Sequence, residues 1–282
     1  MVASRILGKG PLFPTELGTP QGGIISPVLA NLTLDGMEQA IRSRIRLRRD
    51  QVNFIRYADD FIVTARTRET LEQIVKPAVV GFLASRGLEL SEQKTTITHI
   101  QAGFNFLGQN VRKYKNKLVI KPAKDGTKAL IGKTRDCIKS MVGQTAQRLI
   151  AKLNPIVRGW ANYHRNVCSA RTYRVVDRIV HQQLLKWARR THSKKGPGCL
   201  KRKYFSLAGP GLFAIRQRDS SGESRVMKLH RISRTIIERH IKVRGEANPY
   251  DPTYTEYFER RRCFAWRVLP RGRTGKSSAQ RV

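Results

Sequence analysis

The run "VNFIRYADDFIVTA", residues 52–65, constrains the fold more than any other stretch of the chain. "VNFIRY" and "FIVTA" are rich in aromatic and β-branched residues, the composition of short strands. "ADD" between them leaves room only for a tight reversal, so the segment reads as a β-hairpin. The reversal carries two adjacent carboxylates, Asp59 and Asp60. One aspartate in a turn is ordinary, because its side chain bonds the nearby backbone. Two such charges between apolar strands raise each other's pKa. A bound divalent cation reverses that penalty. Mg²⁺ takes a few carboxylates together with substrate phosphates, and a rigid hairpin carrying both groups suits two-metal phosphoryl transfer. On these letters alone, a structural turn and a catalytic pair are equally good readings.

The charge of the chain narrows its partners. Its 282 residues include 55 Lys and Arg against 20 Asp and Glu, a formal charge of +35. Such an excess repels itself unless a polyanion offsets it, and nucleic acid is the default polyanion. The plain alternative is a basic soluble surface with no partner. The cysteines, Cys137, Cys168, Cys199 and Cys263, form no C-x-x-C pair. This argues against a zinc ribbon and against a disulfide framework. No apolar run approaches the roughly 20 residues that span a bilayer. The opening "MVASRILGKGPLF" lacks the apolar core of a signal peptide. The expected setting is reducing and rich in nucleic acid, with no membrane partner.

Around the hairpin the chain reads as α+β. "GTPQGG" (18–23) is a loop by composition, and Ser26 and Pro27 then suit the N-cap and first turn of a helix. Val28, Leu29, Leu32 and Ile41 fit one face of that helix. The loop thus feeds a helix N-terminus, a place that favours phosphate, although an ordinary capped core helix reads as well. After the hairpin, "ETLEQIVKPAVVGFLASR" is helical and stops at Gly87, with a kink expected at Pro77. "LELSEQKTTITHI" returns to strand character with Lys94 near a turn, and "GFNFLGQNVRKYKNKLVIKP" reads as another hairpin.

After "KPAKDGTKA" (121–129) the pattern becomes helical, and "TRDCIKSMVGQTAQRLIAKLNPIVRGWANYHRN" (134–166) reads as helix. In "ARTYRVVDRIVHQQLLKWARR", Val176, Val180 and Leu184 repeat at helical spacing beside Val175 and Ile179. Arg171, Arg174, Arg178, Lys186, Arg189 and Arg190 fall to the other faces. A solvated charged face is the usual reading, but charges of one sign favour a surface turned to phosphates. "THSKKGPGCLKRK" (191–203) reads as a linker, residues 231–262 as a last ordered unit, and "PRGRTGKSSAQRV" as a disordered basic tail.

Four blocks stand in a fixed order: "PTELGTPQGGIISPVLANLTLDGME", "FIRYADDFIV", "GLELSEQKTTITHI" and "FNFLG". Together they resemble the later palm blocks of reverse transcriptases, specifically group II intron-encoded proteins. "LNPIVRGWANYHR" and the helices after it are similar to the maturase, or thumb, region of that family. "HIKVRGEANPYDPTYTEYFERR" resembles the segment that follows the maturase region in bacterial members. The resemblance covers roughly residues 10–262. It implies a partial palm at 1–122, a helical thumb or maturase domain at 123–192, a maturase-associated segment at 193–269 and a basic tail at 270–282. It implies Mg²⁺ as cofactor, held by Asp59 with Asp60 beside it, and Tyr57 as a nucleic-acid-binding residue. It puts Pro20, Gln21 and Gly22 beside the template–primer duplex. Lys94 matches the lysine proposed as acid toward the leaving pyrophosphate, against the plain reading of a solvated turn lysine. Phe106, Leu107 and Gly108 match the block that holds the primer 3′ end, and core packing is compatible with that. Trp160 and Tyr163 either stack on RNA bases or pack the thumb core.

The resemblance also shows a departure. The family takes a third carboxylate and its fingers from sequence before the PQG loop, and the residues preceding the loop here contain no Asp. Asp35 follows the loop and is no substitute. The expectation is therefore an N-terminally truncated copy that needs an upstream part for catalysis. The expected partners are intron RNA, a DNA target or primer, deoxynucleotides and an upstream fragment of the same protein. The expected location is the bacterial cytoplasm, with an organellar matrix as the alternative. The competing function is a non-catalytic RNA-binding splicing cofactor or an inactive remnant. A basic scaffold protein of the ribosomal kind comes third, and the YADD hairpin argues against it.

Overall fold

The computed structural model describes residues 25–45, 51–218, 223–238, 243–245 and 247–267. The chain packs as two units divided between Thr98 and His99.

In the first unit, helix α1 spans Ser26–Thr33 and α2 spans Met37–Ser43. Ile25, not Ser26, holds the cap position, and Pro27 lies in the first turn as expected. The single apolar face expected across this region is split. Gly36 takes a left-handed φ of 81° between the helices and ends the regular period. Ile41 is buried in α2, whereas Val28 and Leu32 of α1 are 55% and 69% exposed.

Strands β1 (Asn53–Tyr57) and β2 (Asp60–Thr64) pair antiparallel as the sequence predicts, with Phe54 opposite Val63 and Tyr57 opposite Asp60. Phe54, Phe61 and Val63 lean on a small core of Met37, Ile41, Val75, Val79 and Phe82. The following helix is π-helical over Thr70–Val75 and continues as α3, Lys76–Ala84. Pro77 explains the change, because it has no N–H to give the carbonyl one turn back. Gly87 ends the helix at φ 67°, and Leu88 N–H reaches the Leu83 carbonyl at 3.0 Å. That bond is the 6→1 closure of a glycine C-cap. The strand expected in "LELSEQKTTITHI" is absent. Lys94 closes a turn onto Ser91, and every side chain from Ser91 to His99 is exposed. β-Branched residues without a pairing strand or a buried face do not make a strand.

The second unit begins with a three-stranded antiparallel sheet, one strand more than the expected hairpin: β3 (Phe104–Phe106), β4 (Gln109–Tyr114) and β5 (Lys117–Pro122). Helices α4 (Lys124–Ser140), α5 (Ala146–Tyr163) and α6 (Ala170–Thr191) follow. Their core is built from Leu149, Ile150, Leu153 and Val157 of α5 against Val176, Leu184 and Trp187 of α6. Two buried polar groups bond backbone carbonyls, as buried donors must. Trp187 donates to Met141 at 2.7 Å, and Tyr173 to Ala161 at 2.6 Å. The apolar face of α6 is narrower than expected, since Val175 is 43% exposed.

The expected linker at 191–203 is also corrected. Pro197–Phe205 form helix α7, which buries Leu200, Tyr204 and Phe205 in the same core. The Gly-Pro pair starts this helix and does not end structure. Strands β6 (Ala214–Arg218) and β7 (Ser224–Lys228) form a hairpin that the local sequence pattern did not announce. Two short 3₁₀ turns, Ile232–Arg234 and Pro252–Tyr254, and helix α8, Thr255–Arg267, complete the described elements. No helix among the described residues is long and apolar enough to cross a membrane.

Candidate functional site

Tyr57 and Asp60 close β1 and β2 around a two-residue turn, Ala58 and Asp59. Ala58 sits at φ 52°. Glycine is the usual residue at such a position, and a Cβ there costs about 1–2 kcal/mol. Arg56 holds the turn from its own strand. Its guanidinium donates to the Ala58 carbonyl at 3.0 Å and to Asn31 Oδ1 of α1 at 2.9 Å. The strand alternation turns Phe54 and Arg56 inward and leaves Ile55 and Tyr57 outward. Directly paired residues share a face, so Asp60 lies on the outward side with Tyr57. Asp59 stands exposed in the turn itself.

The hairpin thus presents two exposed carboxylates on a reversal anchored to a helix. They are hard oxygen ligands, and with substrate phosphates they fit part of a Mg²⁺ coordination shell. Among the described residues there is no group of three or more His, Cys, Asp or Glu able to hold a metal. Lys94 lies on the exposed turn after α3, and no ion pair joins it to Asp59 or Asp60. Pro20, Gln21 and Gly22 lie outside the described residues. Asp35 sits in the turn between α1 and α2, not within a helix.

Phe106, Leu107 and Gly108 form the β3–β4 reversal. Leu107 at φ 47° and Gly108 at φ 69° give it the two positive φ values of a type I′ turn. Phe106 and Leu107 are half-buried and Gly108 is exposed. Two bonds fix this turn within the second unit: Ala123 N–H donates to Gly108 O at 2.9 Å, and Tyr163 O–H to Leu107 O at 2.7 Å. Tyr163 therefore braces the turn from the end of α5. No local sequence signal foretold it, because its partner is 56 positions away. Trp160 follows the core-packing alternative, with its ring against His164 and Tyr173. His164 is 3% exposed, its Nδ1 has no partner, and burial lowers its pKa to about 4.

Arg171, Arg174 and Arg178 stand exposed on α6, and none has a hydrogen bond or ion pair with a described residue. Asp177 between them was not singled out by the sequence. It accepts the N–H groups of Ile232 and Ser233, each at 2.9 Å, and so ties α6 to the 3₁₀ turn.

Residues 5–111 match the family model described as reverse transcriptase (RNA-dependent DNA polymerase), and residues 127–205 match the group II intron, maturase-specific domain. The chain carries a reverse transcriptase segment followed by a group II intron maturase-specific segment. Its relatives include protein YkfC of Escherichia coli, 28% identical over 128 residues, covering 36% of this chain and 34% of that protein. The group II intron-encoded protein LtrA of Lactococcus lactis is 26% identical over 176 residues, covering 42% of this chain and 29% of that protein. The putative COX1/OXI3 intron 1 protein of Saccharomyces cerevisiae is 23% identical over 215 residues, 58% of this chain and 25% of that protein. The matches span about a third or less of these relatives' lengths. The reverse transcriptase match takes in both the carboxylate hairpin and the braced Phe106–Gly108 turn. The maturase match ends on Phe205, the last residue of α7.

Proposed function

We propose that this chain supplies the carboxylate hairpin and the thumb of an RNA-directed DNA polymerase that also binds intron RNA for splicing and mobility. The observation that carries the reading is the hairpin. Arg56 anchors it, and it turns Asp59 and Asp60 outward within the segment matched to reverse transcriptases. Asp59 and Asp60 are the residues that would hold Mg²⁺. That ion, when bound, neutralises charge on the phosphates during nucleotidyl transfer. Residues 1–122 act as palm, 123–192 as thumb, 193–269 as a maturase-associated segment and 270–282 as a basic tail. Primer and template lie along Pro20–Gly22 and the Phe106–Gly108 turn, and Lys94 donates a proton to the leaving pyrophosphate. Intron RNA contacts Arg171, Arg174 and Arg178. The bacterial cytoplasm is the setting this reading implies.

The hairpin supplies two carboxylates, and on this reading a third metal-binding carboxylate lies outside the described residues. The arginines of α6 favour a second reading, a splicing cofactor without polymerase activity, since they require no metal.

The test is primer extension on an RNA template with Mg²⁺ and deoxynucleotides. The chain alone should give little product, and joining it to a segment that carries the third carboxylate should restore synthesis. Asp59→Asn in the joined protein should abolish extension and leave RNA affinity nearly unchanged, because it removes a metal ligand and no phosphate contact. An active joined protein that tolerates Asp59→Asn would make the hairpin a structural turn. RNA binding without extension in any joined form would favour the cofactor reading.

A further inference from the structure

We propose that the groove between α6 and two short stretches, Gly211–Phe213 and Leu229–Ser233, receives one unpaired ribonucleotide of a bound RNA. The proposal rests on the RNA-binding reading above and names what that surface recognises. The groove has a volume of about 410 Å³, within the roughly 300–1,000 Å³ typical of small-ligand sites. Its floor is apolar, with Leu184, Phe213 and Leu229 all buried. Its rim is cationic. Arg174 and Arg178 stand one helical turn apart on α6, and Arg231, just before the 3₁₀ turn, also lines the groove.

Among the described residues the one acid in the lining is Asp177, and it is already engaged. It accepts the N–H groups of Ile232 and Ser233 and lies 3.8 Å from Arg231. The rim therefore keeps a net positive charge. Arg174 and Arg178 have no hydrogen bond or ion pair with a described residue, so both are available to phosphate. The walls hold two imidazoles. His181 lies edge-on to Phe205 at 4.8 Å between ring centres, and His230 bonds Thr235 through Nε2 at 2.9 Å. Burial lowers the pKa of both rings, so both are neutral at physiological pH and can meet a base edge as donor or acceptor. A flat, partly apolar group between flanking phosphates matches this combination. A base within a paired stem has its faces covered by its neighbours, whereas a bulged or single-stranded base can be splayed out and stacked.

The experiment uses the full chain and two RNA stems, identical except for one bulged nucleotide. Binding should favour the bulged stem by roughly tenfold, the size expected for placing one base on an apolar platform. Arg174→Gln with Arg178→Gln, both exposed positions, should remove that preference. Arg189→Gln with Arg190→Gln, at the far end of α6, should weaken both stems alike and keep it. A thiouridine placed at the bulge should cross-link to α6, to residues 211–213 or to residues 229–233. Equal affinity for the two stems, or the same loss from both double variants, would overturn the groove and leave the RNA-binding reading standing. Adenosine monophosphate displacing the bulged stem at micromolar concentration would make the groove a free-nucleotide site and also overturn it. Binding to neither stem would remove the RNA reading and the groove together.

Discussion

Ala58 holds a backbone angle that favours glycine, and Arg56 keeps it there. The two carboxylates were legible in the sequence because they interrupt β-branched runs. Arg56 was not, because its meaning depends on Asn31, 25 positions away. Arg56→Met should remove the bonds to Ala58 and Asn31 and lower stability by about 1–2 kcal/mol. A thermal melt measures it, and an unchanged melt would show that the turn needs no brace. His164 gives a second prediction, with its sign fixed by burial. Its pKa in the fold is about 4, below the ordinary 6.5. Below pH 6.5 the unfolded chain gains a proton that the folded chain refuses, so stability falls with pH from about 6.5 to about 4 and levels off beneath. This one group contributes up to about 3 kcal/mol. His181, His192 and His230 are shifted the same way by burial and add to the same slope. His164→Phe should therefore flatten the decline without abolishing it, as pH-dependent melts of the two proteins would show.

Elements were legible where periodicity was long and flanking signals agreed. The hairpin, the Gly87 helix stop, α5 and α6 follow from local pattern, whereas α4 begins at Lys124, ahead of the expected helix, and breaks from α5 where one helical stretch was expected. What failed to read was decided by tertiary context. The strand expected around Lys94 has no neighbour to pair with. The expected linker at 191–203 became α7 because Leu200, Tyr204 and Phe205 find a core built largely from earlier helices. The split of α1 from α2 turns on one glycine whose left-handed angle sequence spacing does not announce. Asp177 is the clearest tie between elements, bridging α6 and the 3₁₀ turn 55 positions later. Asp177→Ala should leave the amides of Ile232 and Ser233 unpaired and cost about 1–3 kcal/mol. Asp177→Asn keeps one acceptor and should lose less. Equal, small losses in both melts would mean that water replaces the carboxylate without penalty.

The two described cores differ in size, and the chain as a whole is strongly positive in charge. Among the described residues, the first unit's core has eight buried members and the second unit's has 21. Burial is the main stabilising term, so hydrogen exchange should protect the amides of α5 and α6 long after those of β1 and β2 have exchanged. Uniform protection would contradict this. Charge was the most legible whole-chain property, yet a count of cations does not say which of them face phosphates. The fold places Arg174 and Arg178 on an ordered helix, while Arg271 and Arg273 belong to the stretch that composition marks as a basic tail. RNA affinity should fall steeply with salt, since each neutralised phosphate releases counterions. Replacing Arg174 and Arg178 by Glu should weaken binding and reduce the salt slope by about one for each phosphate no longer neutralised. The same change at Arg271 and Arg273 should do less to both, because on this reading the α6 arginines hold the phosphates. Titrations at several salt concentrations with the two double variants decide between them. Equal losses in affinity and slope would make the chain a nonspecific polycation and sink the maturase surface on α6.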